Sequence, residues 1–279
     1  MAHIELNHRR LSYQDHGQGL PVLFGPSYLW EAEMWRPQVE ALADPYRCIV
    51  PELWSHGDSD SPREGNVYSL NDLTEDFAEF VDALGLDRFA MVGLSVGGMW
   101  GFRLAIKIPD RIVGLMLAGT DVGSEGKETR QRFLQMIEAV AAAGCLDPAM
   151  IQALLPFFFA DVTLEKQPPF LDAFCRSLSA IPGEKLPGVL ALGRGIFQRD
   201  SLLDRMAEIR CPTCVVVGEQ DRSRPPFEAE RMAEGISGAQ LHVLKDAGHI
   251  CNLEAPDRFT SILRSFLARI SPPLGRDSW

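Results

Sequence analysis

A hydroxyl, an imidazole and a carboxylate can together attack a carbonyl carbon, and this chain carries all three in an order and spacing that suit the task. Gly93-Leu94-Ser95-Val96-Gly97-Gly98 joins an apolar run, RFAMVG, to a segment with helical periodicity. A serine flanked by glycines at such a turn takes a strained backbone, and the glycines leave room for strand and helix to approach. Its hydroxyl is a weak nucleophile near neutral pH, so it needs a base, and the base needs an orienting acid. After the apolar run CVVVG stands Glu219-Gln220-Asp221, and after LHVL stands Lys245-Asp246-Ala247-Gly248-His249. Ser95 is therefore expected as nucleophile, His249 as base and Asp221 as the acid. Glu219, two residues nearer its strand, and Asp121 in LAGTDVG remain alternatives for the acid, while Asp246 shapes the histidine loop. His56 in PELWSHGDSD also follows a strand end, but it precedes the serine in the chain and reads as a loop-packing histidine.

These residues need a scaffold that brings strand ends together. HIELNHRRLSYQDHGQG alternates apolar and polar residues and closes on Gly17 and Gly19, as an antiparallel pair at a sheet edge does. The apolar runs starting at 21, 46, 88 and 112 do not alternate, which fits strands covered on both faces. Between them lie EMWRPQVEALA, SLNDLTEDFAEFVDALG with Asn71 or Ser69 as cap and Gly85 as stop, and VGGMWGFRLAIKIP ended by Pro109. Strand and helix alternate, the pattern of an α/β fold with a mostly parallel central sheet and helices on both faces. From about 127 to 208 the alternation gives way to four broken helical segments, so a helical cap over the strand ends is expected. The domain reading is a core of 1–124 and 209–279 with a cap at 125–208. The tail SPPLGRDSW reads as loose.

Composition narrows the partners. The 279 residues are 46% hydrophobic and carry 27 lysines and arginines against 38 aspartates and glutamates, a formal charge of -11. That charge repels nucleic acid and anionic membrane surfaces. No apolar run reaches about 18 residues and the N-terminus has no signal-like pattern, so a non-secreted, cytoplasmic protein is expected. Six cysteines are too sparse for a disulfide framework. Cys211 and Cys214 have redox or metal spacing but enter a strand, where packing explains them. No cluster has metal-ligand spacing and no glycine loop matches a nucleotide-binding pattern, so no cofactor is expected. The partner is a small-molecule substrate; the sequence leaves oligomeric state open.

VPELWSHGDSDSP, MVGLSVGG, RCPTCVVVGEQDRSRPP and KDAGHICNLEAPDRFTSILRSFL, in that order, resemble the α/β-hydrolase superfamily of the helical-cap, esterase and enol-lactonase type, over nearly the whole chain. The resemblance implies a serine hydrolase with a Ser-His-Asp triad and an acyl-enzyme, cleaving an ester or lactone of a small, largely apolar substrate. Carbon-carbon bond hydrolysis, perhydrolysis and a non-catalytic ligand-binding role are the alternatives. One motif departs: members normally end the first central strand in His-Gly, and the N–H of the next residue forms half of the oxyanion hole. In VLFGPSYLW either Phe24-Gly25 replaces it, leaving Pro26 with no N–H, or Pro26-Ser27 does, supplying Tyr28. Tyr28 with Val96 is preferred; a Ser27 donor or an impaired hole remains open. Leu29, Trp30, Trp54 and Phe158 are expected to line the pocket, although core packing competes for each of them.

Overall fold

A computed structural model describes residues 1–62 and 65–271; the tail from 272 onward, read above as loose, lies outside the described residues. Eight strands form one sheet in the order β1-β2-β4-β3-β5-β6-β7-β8. β1 (Ala2–Leu6) pairs antiparallel with β2 (Arg9–His16), and β2 pairs antiparallel with β4 (Tyr46–Pro51). β3 (Leu20–Gly25), β5 (Phe89–Leu94), β6 (Ile112–Ala118), β7 (Thr213–Gly218) and β8 (Gln240–Leu244) complete the parallel part. The edge pair and the parallel centre both match the alternating and non-alternating patterns in the sequence.

The unalternating runs are explained by two apolar cores. Val22, Phe24, Val92 and Met116 meet α1 (Arg36–Leu42) and α10 (Pro256–Ile270) on one face. Leu23, Met91, Leu115 and Leu117 meet α2 (Leu70–Ala83), α3 (Val96–Lys107) and α9 (Pro226–Gly235) on the other. Every residue of β5 and β7 is buried. Ser69 caps α2: its hydroxyl accepts from Asp72 N–H and the Asp72 carboxylate accepts from Ser69 N–H, two helix-end donors satisfied at once.

Strand order makes the site. From β3 the chain goes first to β4 on one side and then to β5 on the other, so the carboxyl ends of β3 and β5 stand adjacent where the winding reverses, the place where such sheets hold ligands. Above these ends, between β6 and β7, run α4 (Lys127–Ala143), α5 (Pro148–Phe158), α6 (Asp161–Lys166), α7 (Pro169–Ser179) and α8 (Leu186–Phe197). The short α6 is one helix more than the sequence suggested. It starts where Asp161 follows Ala160, whose N–H bonds to Glu254. Among the described residues no helix is long and apolar enough to cross a membrane, and no group of His, Cys, Asp and Glu is arranged to hold a metal ion.

Candidate active site

Ser95 follows β5 directly with φ 56° and ψ -119°, a left-handed backbone that a non-glycine residue adopts only under constraint. The constraint is visible. Ser95 N–H donates to the Ala118 carbonyl at 2.9 Å, and its own carbonyl accepts from the Thr120 hydroxyl at 2.7 Å. A Cβ on Gly93 would lie 2.3 Å from the Gly97 backbone, and one on Gly97 would lie 2.1 Å from the Gly25 carbonyl oxygen. The two motif glycines thus let β5, α3 and the end of β3 touch backbone to backbone. Between residues 91 and 100, Ser95 alone is not fully buried.

His249 lies in the loop after β8, and its Nδ1 is 2.9 Å from Oδ2 of Asp221 at the end of β7. Both side chains are buried, at 2% and 3% residue exposure. The other oxygen of Asp221 accepts from the N–H groups of Ser223 and Arg224 at 2.9 and 2.8 Å, so the carboxylate faces the imidazole in one orientation. The two alternative acids are engaged elsewhere. Asp121 accepts from Arg231 at 2.8 Å and from Gly123 N–H at 3.0 Å, and Glu219 takes the N–H of Asp246.

Ser95 and His249 open on a cavity of about 210 Å³ walled mainly by apolar side chains of α4, α5 and α8. Tyr28, Leu29 and Phe158 line it, and the Phe158 ring meets the His249 ring edge to face at 5.7 Å. Trp30 and Trp54 do not. Trp30 stacks on Phe174 at 4.5 Å, tying the β3 loop to α7, because a ring stacked on a ring buries more apolar area than one facing a cavity. The Trp54 indole N–H is drawn to Asp76 on α2 at 2.7 Å, the polar partner a buried indole requires.

The loop that lacks His-Gly can be followed donor by donor. Pro26 has no N–H; Ser27 N–H points to Met34 Sδ at 3.2 Å; Leu29 N–H donates to His56 Nε2; and Trp30 N–H donates to Ser27 O. Within residues 26–30 Tyr28 N–H has no acceptor in the protein, and neither does Val96 N–H at the start of α3. Tyr28 and Ser95 line the same cavity, and Val96 follows Ser95 directly in the chain.

Three features escaped the sequence reading. Glu125 and Arg224 reach the cavity wall and pair at 2.6 Å, with Arg199 closing on Glu125 at 2.7 Å, all buried. Glu254 accepts from Gly248 N–H, Ala160 N–H and the Thr163 hydroxyl at 2.9, 2.8 and 2.7 Å, fastening the histidine loop to α6. His249 N–H itself donates to the Phe158 carbonyl at 3.0 Å. Each pairing spans a sequence separation that no local pattern marks.

Glu52, after β4, also escaped it and carries a prediction. It is 2% exposed, and burial, with Glu31 and Asp58 nearby, pushes its carboxyl up to about 8 in spite of the bond from Ala32 N–H and the charge of Lys185. A carboxyl raised on folding contributes stability below its unfolded pKa of about 4.5, and that contribution fades as pH rises through about 8. Thermal melts of the wild type are expected to lose on the order of 4 kcal/mol from this group between those pH values. Glu52→Gln, which mimics the neutral form, should match the wild type near pH 4.5 and exceed it above pH 8. Parallel pH dependences for the two proteins would refute the assignment.

The alpha/beta hydrolase fold profile matches residues 21–256. RutD of Azorhizobium caulinodans, provisionally named a carbamate hydrolase, is 27% identical over 93% of this chain and 96% of its own. The 3-oxoadipate enol-lactonase 1 of Acinetobacter baylyi is 27% identical over 94% of each. A thermophilic esterase from Thermogutta terrifontis superimposes with a TM-score of 0.86 at 31% identity, covering 95% of both chains. With the sheet order, the strained serine turn and a matching profile over most of its length, the chain belongs to the alpha/beta hydrolase fold family, and these three relatives are named as hydrolases.

Proposed function

We propose that this protein is a serine hydrolase that cleaves the carboxylic ester or lactone of a small, largely apolar substrate. The observation that carries the proposal is the buried His249–Asp221 pair at 2.9 Å opening with Ser95 on one apolar cavity. Ser95 Oγ attacks the carbonyl, His249 Nε2 takes its proton and returns it to the leaving alcohol, and Asp221 fixes the tautomer that leaves Nε2 free to do so. Tyr28 and Val96 N–H groups receive the oxyanion, and water then releases the acyl group. Residues 125–208 serve as the cap, supplying most of the apolar wall, and no cofactor takes part.

The wall favours a neutral ligand. Arg224 is the cation among the described residues that line the cavity, and it is already held by Glu125, which it shares with Arg199, with Glu228 3.6 Å away, so it is not a free partner for an anionic substrate. The test is a fluorophosphonate probe with mass mapping of the labelled peptide, together with a panel of neutral esters and lactones, their anionic counterparts, carbamates and carbon-carbon hydrolase substrates. Labelling is expected at Ser95, with turnover concentrated in the neutral esters and lactones. An unlabelled Ser95, or turnover confined to carbamates or carbon-carbon bonds, would overturn the reading.

A further inference from the structure

Leu29 has φ 70°, in the left-handed region that a large side chain avoids, and it follows directly on Tyr28. A backbone there persists only if its surroundings hold it. Leu29 N–H donates to Nε2 of His56 at 3.1 Å, and Nδ1 of the same ring lies 2.8 Å from the Trp54 carbonyl oxygen. A carbonyl only accepts and an amide N–H only donates, so the ring proton must sit on Nδ1 and the lone pair on Nε2. Burial, with Lys185 nearby, pushes the imidazole pKa down to about 4, which keeps that lone pair available at neutral pH.

The same turn grips the loop a second time. Ala32 N–H donates to Glu52 Oε2 at 2.9 Å, so residues 29 to 32 hang from residues 52 to 56 at two points. From the opposite side the Tyr28 hydroxyl donates to the Val189 carbonyl on α8 at 3.0 Å. Tyr28 N–H, the donor with no acceptor in the protein, lies between these pins. Members of the fold with His-Gly at the strand end have a glycine to make this turn. Here Pro26-Ser27-Tyr28-Leu29 makes it without one beyond Gly25, and the fixing is done from the neighbouring loop.

We propose that His56 is a positioning residue for the oxyanion hole: its Nε2 lone pair fixes the Leu29 peptide and thereby aims Tyr28 N–H at the substrate's carbonyl oxygen. His56 is not among the cavity-lining residues and touches no reacting atom. This rests on the serine-hydrolase reading above. It predicts a selective defect, because the hole binds the tetrahedral state and the apolar wall binds the ground state.

The experiment compares His56→Leu, which has no acceptor, with His56→Gln, whose Oε1 reaches about as far as Nε2. His56→Leu is expected to lower kcat by about 10- to 100-fold, less than the 10²- to 10³-fold that follows outright loss of a donor, with KM within about twofold. Affinity for a boronic acid, whose tetrahedral adduct places an oxygen in the hole, should weaken by the same factor as kcat. His56→Gln should recover part of both. The wild type provides a measurement that does not need a variant to fold: nitrogen NMR of His56 should show Nδ1 protonated and Nε2 bare from about pH 5 to 9. A protonated Nε2, a wild-type kcat in His56→Leu, or equal losses in the two variants would overturn the inference. The two readings fail differently. An unlabelled Ser95 in the wild type removes the hydrolase reading and this inference with it, whereas a labelled, active enzyme indifferent to His56→Leu removes this inference alone.

Discussion

Replacing Ser95 by alanine is expected to lower kcat by about 10⁶ while leaving KM nearly unchanged, because the nucleophile is lost and the cavity wall is not. The residual rate would come from the oxyanion donors and from binding. A burst-phase assay with an activated nitrophenyl ester checks this, since no acyl-enzyme can form and no burst should remain. Fold is not the cause of the loss if the variant melts within about 1 kcal/mol of the wild type, as a small surface change at one cavity residue should. A further substitution separates chemistry from strain. Ser95 holds φ 56°, so Ser95→Gly should be as inactive as Ser95→Ala yet more stable than it by about 1 kcal/mol, the relief of a left-handed backbone at a non-glycine residue. A Ser95→Ala variant with more than a hundredth of wild-type activity would remove Ser95 from the nucleophile's role.

The sheet and the position of the serine were legible in the sequence because both are written in local patterns. Runs such as CVVVG do not alternate since both faces of β7 are covered, and Gly93 and Gly97 are required because a Cβ on either would come within about 2 Å of neighbouring backbone. The order serine, acid, histidine survives the intervening helices because each residue sits at a strand end, and parallel strands bring their carboxyl ends to one edge. The choice among acids could not be made locally. Asp121, Glu219 and Asp221 all follow strands, and what separates them is the arginine from α9 that meets Asp121, the Asp246 N–H that Glu219 takes, and the N–H pair that turns Asp221 toward His249.

The pocket was less legible for the same reason. Trp30 and Leu29 are adjacent in sequence, yet the left-handed backbone at Leu29 sends one to Phe174 and the other to the cavity. A lipophilic residue in a strand-end loop gives no sign of which way it turns when φ changes sign beside it. His56 shows the limit from the other side. It reads as a loop-packing histidine, and it does pack a loop, but the loop it packs is the one that carries Tyr28 N–H. Its value lies in a contact across 27 residues between two strand ends that the switch in strand order makes neighbours.

Asp221→Asn should be the second most damaging change, and the hydrogen bonds around the carboxylate say why an isosteric residue cannot serve. One oxygen accepts from two backbone N–H groups, of Ser223 and Arg224, and the other faces His249 Nδ1. An asparagine must give its carbonyl oxygen to the backbone pair, because its NH₂ would confront two donors there. The NH₂ then faces Nδ1 and donates to it, which forces the ring proton onto Nε2, where the base needs a lone pair. The expected result is a fall in kcat of about 10⁴ with KM little altered. Labelling of Ser95 by the fluorophosphonate should slow to a comparable degree, since the same proton transfer limits it. Asp121 is not free to substitute, being 2.8 Å from Arg231 and bonded to Gly123 N–H. Steady-state kinetics and labelling rates for Asp221→Asn, with Glu219→Gln as the comparison, decide the point. If Glu219→Gln proved the more damaging of the two, the acid would have to be reassigned and the imidazole's orientation explained from another side.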